Sequence, residues 1–395
     1  MIHWRYINMS RASSRSLSLL FAVSAVRGIG AQIFMTFLPV YAVSVVSMTT
    51  SQIGIVSTIA TGVSVIFLPL FGYLSDAIGR RSVMMLSTVL RALAPLVVLL
   101  MRNYYGILLA YILSQLSMYS WTPARGAFVA ENVSERSIGK AFAALSLPMQ
   151  LSRAVVPYIS GLIIVYLGYD IIFTAASFLM ILGMIFILGI EEGSKNKTYE
   201  KFSIREFIRG MIPKRKELGL QTFFIIDRVS WRFWMPMMNS YFKEYLGFTE
   251  DIIGLISTTR GIVSSIAVIP SGHLVDKIGY RLSLLFSEIT GALAALILII
   301  GKTPLEMILA SAFIGLSVAF WGPGFNVSVS RITDNKTELG RVYSRANFYR
   351  IVASVPSPWI GGILYNIAPA LMFFSGLLGL LGNCFLILRI KESCL

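Results

Sequence analysis

A loop motif of ten residues occurs twice in this chain, each time between two apolar segments. The first copy, at 72–81, contains Gly72, Asp76, Gly79, Arg80 and Arg81. The second copy, at 272–281, contains Gly272, Asp276, Gly279 and Arg281. The same spacing of 200 residues relates the Trp-x-Pro segments that begin at Trp121 and Trp321. A repeat of this length predicts that the chain folds as two halves of one design.

The apolar segments indicate the class of protein. The 395 residues are 56% hydrophobic and 13% charged, which is too apolar for an ordinary soluble domain. Twelve segments, here called spans 1–12, are each long enough to cross about 30 Å of hydrocarbon as a helix. They lie near residues 17–46, 51–74, 82–101, 104–124, 138–167, 169–190, 219–246, 251–274, 281–301, 305–329, 341–366 and 368–389. We predict an all-α membrane protein with twelve transmembrane helices in two pseudo-symmetric six-helix bundles.

The basic residues predict how the chain lies in the membrane. A net charge of +15 is typical of proteins that bind nucleic acid or an anionic surface. Here the basic residues outside the spans are spread over short loops, and only Arg102, Lys243 and Lys302 lie on the side opposite the chain termini. The positive-inside rule then places both termini in the cytoplasm. We therefore expect a multi-pass protein of the cytoplasmic membrane, with the lipid bilayer and not nucleic acid as its partner.

Residues 191–218 form the one sizeable polar break between spans. Its apolar residues are spaced as one face of a short helix; they are Phe202, Ile204, Phe207, Ile208 and Met211. We predict a cytoplasmic linker with an amphipathic helix, between an N-terminal bundle of residues 1–190 and a C-terminal bundle of residues 219–395. The first apolar run is too long for a signal peptide and is expected to be retained. Cys384 and Cys394 predict neither a disulfide framework nor a metal site.

The duplicated loop resembles the loop between helices 2 and 3 of the major facilitator superfamily, G-x-L-x-D-x-x-G-R-[RK]. The resemblance covers nearly the whole chain. It implies a secondary transporter whose two six-helix halves rock about a site near the midplane of the bilayer. It also implies that both loops latch the cytoplasmic side: Asp76 and Arg80 would interact locally, while Gly72 and Gly79 would allow a close approach and a tight turn.

Ionisable residues within the spans are the candidates for function, because burying a charge in the bilayer costs several kcal/mol. They are Arg27, Arg91, Arg153, Asp227, Arg228, Arg232, Arg260, Glu288 and Arg350. Arginine binds carboxylate or phosphate with a planar fork. The excess of arginine over acids therefore indicates an anionic or electron-rich substrate.

The resemblance assigns these charges to different positions. In the family, spans 1, 4, 7 and 10 line a central cavity, which would place Arg27, Asp227, Arg228 and Arg232 at the substrate. Spans 2, 5, 8 and 11 flank it, so that Arg153, Arg260 and Arg350 would border the cavity. Arg91 and Glu288 fall on outer spans, where we expect a structural role.

Asp227 is the candidate for a proton or charge switch. It aligns with Arg27 through the repeat, which predicts a matching depth in the opposite half. One hypothesis is that Asp227 pairs with Arg27 or an arginine of span 7 and exchanges that partner during transport. A fixed ion pair between the halves is the alternative. Trp121 and Trp321 either offer an aromatic face to the substrate or anchor the chain at the membrane interface.

Other patterns limit the function. The helix 4 Arg of drug–proton antiporters is absent near Gln115, and their helix 5 glycine pattern is reduced to Ser152, Val156, Pro157, Ser160 and Gly161. His3 and His273 are the only histidines, and no phosphate-binding loop occurs, which argues against an enzyme or an ATP-driven pump. The internal duplication favours alternating access over a channel.

We therefore predict a secondary transporter of a small molecule, working as a monomer without a metal or cofactor. Export of a drug-like or metabolic compound, with possible proton coupling, is the first interpretation. Uptake or exchange of an organic anion is the alternative, and a non-transporting membrane sensor on the same fold is a minor one.

Overall fold

A computed structural model describes residues 11–134, 137–191, 211–332 and 336–390, and these residues fold as α-helices with short connections. Spans 1–6 are single helices, at Arg11–Ser44, Thr50–Ala77, Arg80–Leu100, Tyr104–Asn132, Ile138–Leu167 and Tyr169–Leu188. The second half contains the helices Leu218–Arg232, Met238–Glu244, Glu250–Ile300, Pro304–Ser330, Lys336–Ala353, Ser357–Ile367 and Pro369–Arg389.

Three interruptions turn these helices into spans 7–12. Span 7 consists of Leu218–Arg232 and Met238–Glu244, joined by a 3-10 turn at Met235–Met237. The helix Glu250–Ile300 has 51 residues and would be about 76 Å long if straight, more than twice the bilayer core. Gly279, with φ 81°, divides it into span 8 (250–278) and span 9 (280–300). Span 11 consists of Lys336–Ala353 and Ser357–Ile367. The predicted twelve spans in two six-helix bundles are thus present within the described residues.

Eight of the described helices, counting Glu250–Ile300 once, are long and apolar enough to cross a membrane. Several begin with side-chain caps. Thr49 caps span 2 and Gln52 bonds back to its backbone; Thr303 and Glu306 form the same capping box at the start of span 10. Each box satisfies helix N–H groups that lack intrahelical partners, and so fixes where the helix begins.

The duplication extends to individual side-chain contacts. Ser87 and Ser117 join spans 3 and 4 at 3.2 Å between hydroxyl oxygens, and Ser287 and Ser317 join spans 9 and 10 at 3.1 Å. Arg81 donates to the carbonyl oxygen of Leu188, and Arg281 donates to that of Leu388. Every one of these pairs is related by 200 residues. The halves therefore share their packing as well as their motifs.

The two halves meet at one face of the molecule, here called the closed face, which carries residues 45–49, 101–103, 245–249 and 301–303. A single apolar cluster there contains residues of both halves, including Phe34, Tyr41, Trp234 and Phe242. Hydrogen bonds cross between the halves at this face, for example from the Asn239 side chain to the Thr36 carbonyl at 2.9 Å.

At the opposite face, here called the open face, each half has its own apolar cluster. One contains Leu17, Trp121 and Phe128; the other contains Phe224, Leu284 and Phe325. This face carries residues 78–79, 189–191 and 331–332. A bundle joined at one face and divided into two cores at the other has one of the two shapes that alternating access requires.

Four of the five apolar residues of the predicted linker helix lie within 192–210, which is outside the described residues; the fifth is Met211. The domain boundaries at 190 and 219 stay a prediction.

Candidate functional site

Eight of the nine candidate ionisable residues of the spans form three groups. The group in the C-terminal half consists of Asp227, Arg228 and Arg232 of span 7, Glu288 of span 9 and Arg350 of span 11. The group in the N-terminal half surrounds Arg27. The third pairs Arg153 of span 5 with Arg260 of span 8.

Asp227 and Glu288 face each other in the first group. Their side chains are 3% and 1% exposed and are in hydrogen-bond contact. The Asn383 amide of span 12 donates to Glu288 Oε2 at 3.4 Å and also to the Phe223 carbonyl at 3.0 Å. Trp231 lies within hydrogen-bond reach of Asp227. Three spans therefore hold this pair of carboxyl groups.

Two arginines flank the acids, and a third lies beside one of these arginines. Arg228 and Arg350 are the cations nearest to Asp227, and Arg228 also repels Arg232. Arg232 reaches across to span 2 of the other half, where its Nη2 donates to Thr61 Oγ1 at 2.5 Å and to Ser57 Oγ at 3.5 Å. The Nε atoms of all three guanidinium groups are buried without a hydrogen-bond partner in the described part of the chain. The site therefore retains unused donors for a ligand.

Aromatic side chains from both halves border these arginines. The Arg350 guanidinium lies 4.2 Å from the ring centre of Trp321, which stacks on Phe325 at 4.8 Å. Tyr119 of span 4 is close enough to interact electrostatically with both Arg232 and Arg350. The centre of the molecule thus combines cations with π faces.

Arg27 has a different environment. Its guanidinium donates to Thr88 Oγ1 at 2.8 Å, to Ser117 Oγ at 3.2 Å and to Ser87 Oγ at 3.3 Å. It also lies 4.1 Å from the ring centre of Trp121. Trp121 is buried and Trp321 is partly buried, each beneath an arginine. These positions do not fit an anchor at the membrane surface.

The third group lies where spans 5 and 8 pack. Arg260 donates to the Met235 sulfur at 3.6 Å and is repelled by Arg153, whose side chain is exposed. Neither residue contacts the acids through any hydrogen bond within the described part of the chain. Arg91, on span 3, donates to the Ser114 carbonyl at 3.3 Å, consistent with packing of spans 3 and 4.

The structure brings Asp227, Arg228 and Arg232, which the sequence placed with Arg27 at the cavity, together with Arg350 and Trp321. It does not pair Asp227 with Arg27, because Arg27 is turned towards the hydroxyl groups of its own half. Glu288, for which the sequence predicted a structural role on an outer span, and Tyr119, which it did not single out, also lie at this site. The repeat contains a signal that could have identified Glu288. Glu288 aligns with Thr88, the partner of Arg27, just as Asp227 aligns with Arg27.

The first loop motif forms the local ion pair that was expected. Arg80 contacts Asp76 at 2.5 Å and, through its other terminal nitrogen, Glu131 of span 4 at 3.0 Å. Gly79 has φ 95°, which confirms the tight turn. The close approach expected at Gly72 is wrong for this conformation, since a Cβ there would meet nothing within 4 Å.

The second loop differs from the first at one of the specified positions of the motif. Gly279 makes the same turn, and Gly272 has the same open space. Tyr280 replaces Arg80, is 1% exposed and lies 5.9 Å from the guanidinium of Arg331. Asp276 is exposed. The loops therefore match in backbone, while the ion-pair network of Asp76, Arg80 and Glu131 belongs to the first copy.

Removing the Arg80 side chain is expected to destabilise the protein, while Asp76→Asn should leave its melting temperature nearly unchanged. Arg80 is 7% exposed and holds spans 2 and 4 together, whereas the Asp76 side chain is 60% exposed. Bonds between a buried cation and a carboxylate contribute about 1.5–3 kcal/mol, and exposed pairs contribute much less. Thermal unfolding in detergent measures both variants. Equal melting temperatures for Arg80→Ala and Asp76→Asn would contradict this assignment.

A duplicated twelve-span bundle, joined at one face and holding its buried charges near the middle, defines a membrane transporter of small molecules, not an enzyme. The sequence comparison agrees, because the family model described as Major Facilitator Superfamily matches residues 20–226 and again 222–393. This chain belongs to the Major Facilitator Superfamily, as the loop motif predicted. It is a multi-pass membrane protein.

Known relatives and solved structures are similar over most of their length. The chain is 23% identical to the multi-drug resistance efflux pump PmrA of Streptococcus pneumoniae over 85% of each chain. It is 24% identical to the multidrug resistance protein MdtG of Salmonella typhi, over 89% of this chain and 88% of that protein. A mutant form of the nucleoside transporter NupG superposes with a TM-score of 0.78 at 11% identity, over 95% of this chain and 100% of that one.

Proposed function

We propose that this protein exports small aromatic, drug-like compounds from the cell, driven by proton entry. The observation that carries the proposal is the centre of the molecule, where the aromatic faces of Trp321, Phe325 and Tyr119, contributed by both halves, meet the buried charges of the C-terminal half. Aromatic faces of this kind bind flat, apolar compounds through π contacts, with few directional bonds. Relatives named as multidrug efflux proteins support the same substrate class.

The proposal includes an orientation and a cycle. The open face carries the basic residues that the positive-inside rule assigns to the cytoplasm, so the described conformation faces inward. A compound would enter from the cytoplasm, and the halves of a monomer would rock until the closed face opens. The glycine-bearing loops at Gly72 and Gly272, which have free space here, would close together in the other conformation.

Transport of organic anions is the second candidate function. It is favoured by the guanidinium groups of Arg228, Arg232 and Arg350, whose Nε atoms have no partner among the described residues and which outnumber the neighbouring acids. Carboxylate or phosphate groups would satisfy these donors.

Thermal stabilisation of the purified protein distinguishes the two functions. A ligand that binds the folded state alone raises the melting temperature by mass action. We expect tetraphenylphosphonium, an aromatic cation, to stabilise the protein, and Trp321→Leu to weaken that binding about tenfold because an aromatic contact contributes about 1–2 kcal/mol. Stabilisation by naphthoate instead, lost in Arg232→Ala, would establish the anion alternative and contradict the drug-like class.

Matched controls exist for both variants. Trp359 is 50% exposed on the outside of span 11, so Trp359→Leu removes an indole without touching the centre. Arg102 lies at the closed face in an exposed ion pair with Asp170, so Arg102→Ala removes a guanidinium there. Export itself is then measured as tetraphenylphosphonium movement in proteoliposomes under an imposed pH gradient.

A further inference from the structure

We propose that Asp227 and Glu288 together form the proton-binding site of this transporter, and that Arg350 links proton release to the arrival of substrate. The first statement rests on the geometry of the two carboxyl groups. The second rests also on the proposed function.

The two carboxyl groups are in contact although neither can donate a hydrogen bond when ionised. Asp227 Oδ1 and Glu288 Oε1 are buried and have no hydrogen-bond partner within the described part of the chain. Asn383 reaches the other Glu288 oxygen at 3.4 Å. Two acceptors at hydrogen-bond distance require a proton between them, and two buried like charges in contact repel strongly. A shared proton satisfies both conditions.

The spans packed around the pair contribute two cations and three neutral polar groups. Span 7 supplies Arg228 and the Trp231 indole, span 11 supplies Arg350, and span 12 supplies Asn383 and the Cys384 thiol. One proton on the pair leaves a single negative charge beside two positive charges. Loss of that proton leaves two negative charges beside the two positive charges. The site therefore tolerates both states, provided that Arg228 and Arg350 stay close.

The N-terminal half shows that the acids are not required for packing. Its equivalent residues are Arg27 and Thr88, which are joined by a hydrogen bond of 2.8 Å. The serine pairs beside them, Ser87 with Ser117 and Ser287 with Ser317, are the same in both halves. The shared scaffold thus folds with a permanent cation at this depth, and the carboxyl pair adds a titratable site to one half.

Arg350 occupies the position that connects this pair to the aromatic site. Its guanidinium now lies over Trp321 at 4.2 Å and over Phe325 at 5.3 Å. An aromatic compound that stacks on Trp321 would displace it, and the nearest negative charge is Asp227. When Arg350 moves closer to Asp227 and Glu288, it stabilises the state in which both are ionised. The proton therefore leaves the pair for the open face as the compound binds. Exchange of this kind is antiport, and it requires no direct contact between substrate and acid.

Infrared spectroscopy of the full chain in lipid tests the proton site without any substrate. We expect a band of protonated carboxylic acid that persists at neutral pH and shifts in deuterated water. The double variant D227N/E288Q, in which both changes keep the side-chain shape, should lose it. Each single variant should move the pH at which the band disappears. Asp276→Asn, at an exposed loop carboxyl, is the control and should leave the band unchanged.

The role of Arg350 has its own readout. Arg350→Gln removes the positive charge, so the band should persist to a higher pH than in the wild type. Tetraphenylphosphonium added to the wild-type protein in weak buffer should release up to one proton per chain, and the double variant should release none.

Two outcomes separate the proposals. A wild-type protein without the neutral-pH band, or a double variant that keeps it, would overturn the proton site whatever the transport result. A band that behaves as expected, without proton release by tetraphenylphosphonium, would leave the site standing and contradict the link through Arg350 to an aromatic substrate.

Discussion

Arg345→Ala is expected to cost about 3–5 kcal/mol of unfolding free energy, because it leaves the Glu217 carboxylate buried without its counter-ion. The two side chains are 4% and 2% exposed. Arg345 Nε donates to Glu217 Oε2 at 2.9 Å, and Arg345 Nη2 donates to the other carboxylate oxygen. This bidentate pair ties the start of span 7 to span 11 at the open face, beside the hydrogen bond from Gln221 to the Arg345 carbonyl.

Thermal unfolding in detergent checks this expectation with two comparisons. Arg102→Ala removes an ion pair whose side chains are 53% and 57% exposed, and its effect should be several times smaller. The double variant E217L/R345M replaces both charges by apolar groups and should recover most of the stability, since a buried ion pair contributes little beyond its own desolvation. The N-terminal half already has Leu17 at the position equivalent to Glu217, and it is fully buried. Similar losses for Arg345→Ala and Arg102→Ala would contradict the argument.

The fold was predictable because its main constraints are local. An apolar run of about 20 residues fixes a span by length alone, and a Gly-Asp-Gly-Arg loop fixes where two spans separate. The break at Gly279 illustrates this. The helix from 250 to 300 has no other non-helical backbone angle, yet the motif at 272–281 placed the division between spans 8 and 9 correctly.

The partners within the site were less predictable, because they depend on how each helix is rotated. The repeat predicted that Asp227 and Arg27 lie at equivalent positions, but equivalence in two bundles does not bring side chains together. Arg27 faces spans 3 and 4, and Asp227 faces span 9. The replacement of an Arg–Thr pair by an Asp–Glu pair at matched positions is readable in the sequence, and it is the signal that identifies Glu288.

The contacts between the halves show a similar limit. Small residues let membrane helices approach closely, but the sequence does not distinguish glycines within a half from those between halves. In the structure, Gly376 and Gly379 of span 12 pack on Trp234 and Ser230 of span 7 in the same half. The glycines that join the two halves lie instead on spans 2, 5, 8 and 11.

These interface glycines are matched by the repeat. A Cβ on Gly54 would overlap the Pro358 carbonyl oxygen of the other half, and a Cβ on Gly254 would overlap the Pro157 carbonyl oxygen. Beside them, the Thr58 hydroxyl accepts a hydrogen bond from the backbone N–H of Trp359 at 3.0 Å. The Thr258 hydroxyl accepts one from the backbone N–H of Tyr158 at the same distance. Two equivalent backbone contacts therefore hold the closed face together.

Gly54→Ala is accordingly expected to open the closed face. Overpacking against rigid backbone costs about 1–3 kcal/mol, and each 1.4 kcal/mol changes an equilibrium about tenfold. The penalty applies to the conformation in which the halves touch here, so the balance shifts towards the opposite one. The Asn366 Nδ2 and Ser51 Oγ atoms lie 3.1 Å apart across the two halves. Cysteines placed at Ser51 and Asn366, in a chain lacking Cys384 and Cys394, therefore measure this contact by oxidative cross-linking.

We expect the ratio of closed to open faces, read from the cross-linked fraction, to fall about tenfold in Gly54→Ala and in Gly254→Ala, which acts at the equivalent contact. Gly382→Ala provides the matched control, because this helical glycine is exposed and a Cβ there meets nothing within 4 Å. A Gly54→Ala protein that cross-links as well as Gly382→Ala would show that these carbonyl contacts do not hold the closed face together. A loss of cross-linking in Gly54→Ala without one in Gly254→Ala would show that the two equivalent contacts do not contribute equally to the closed face.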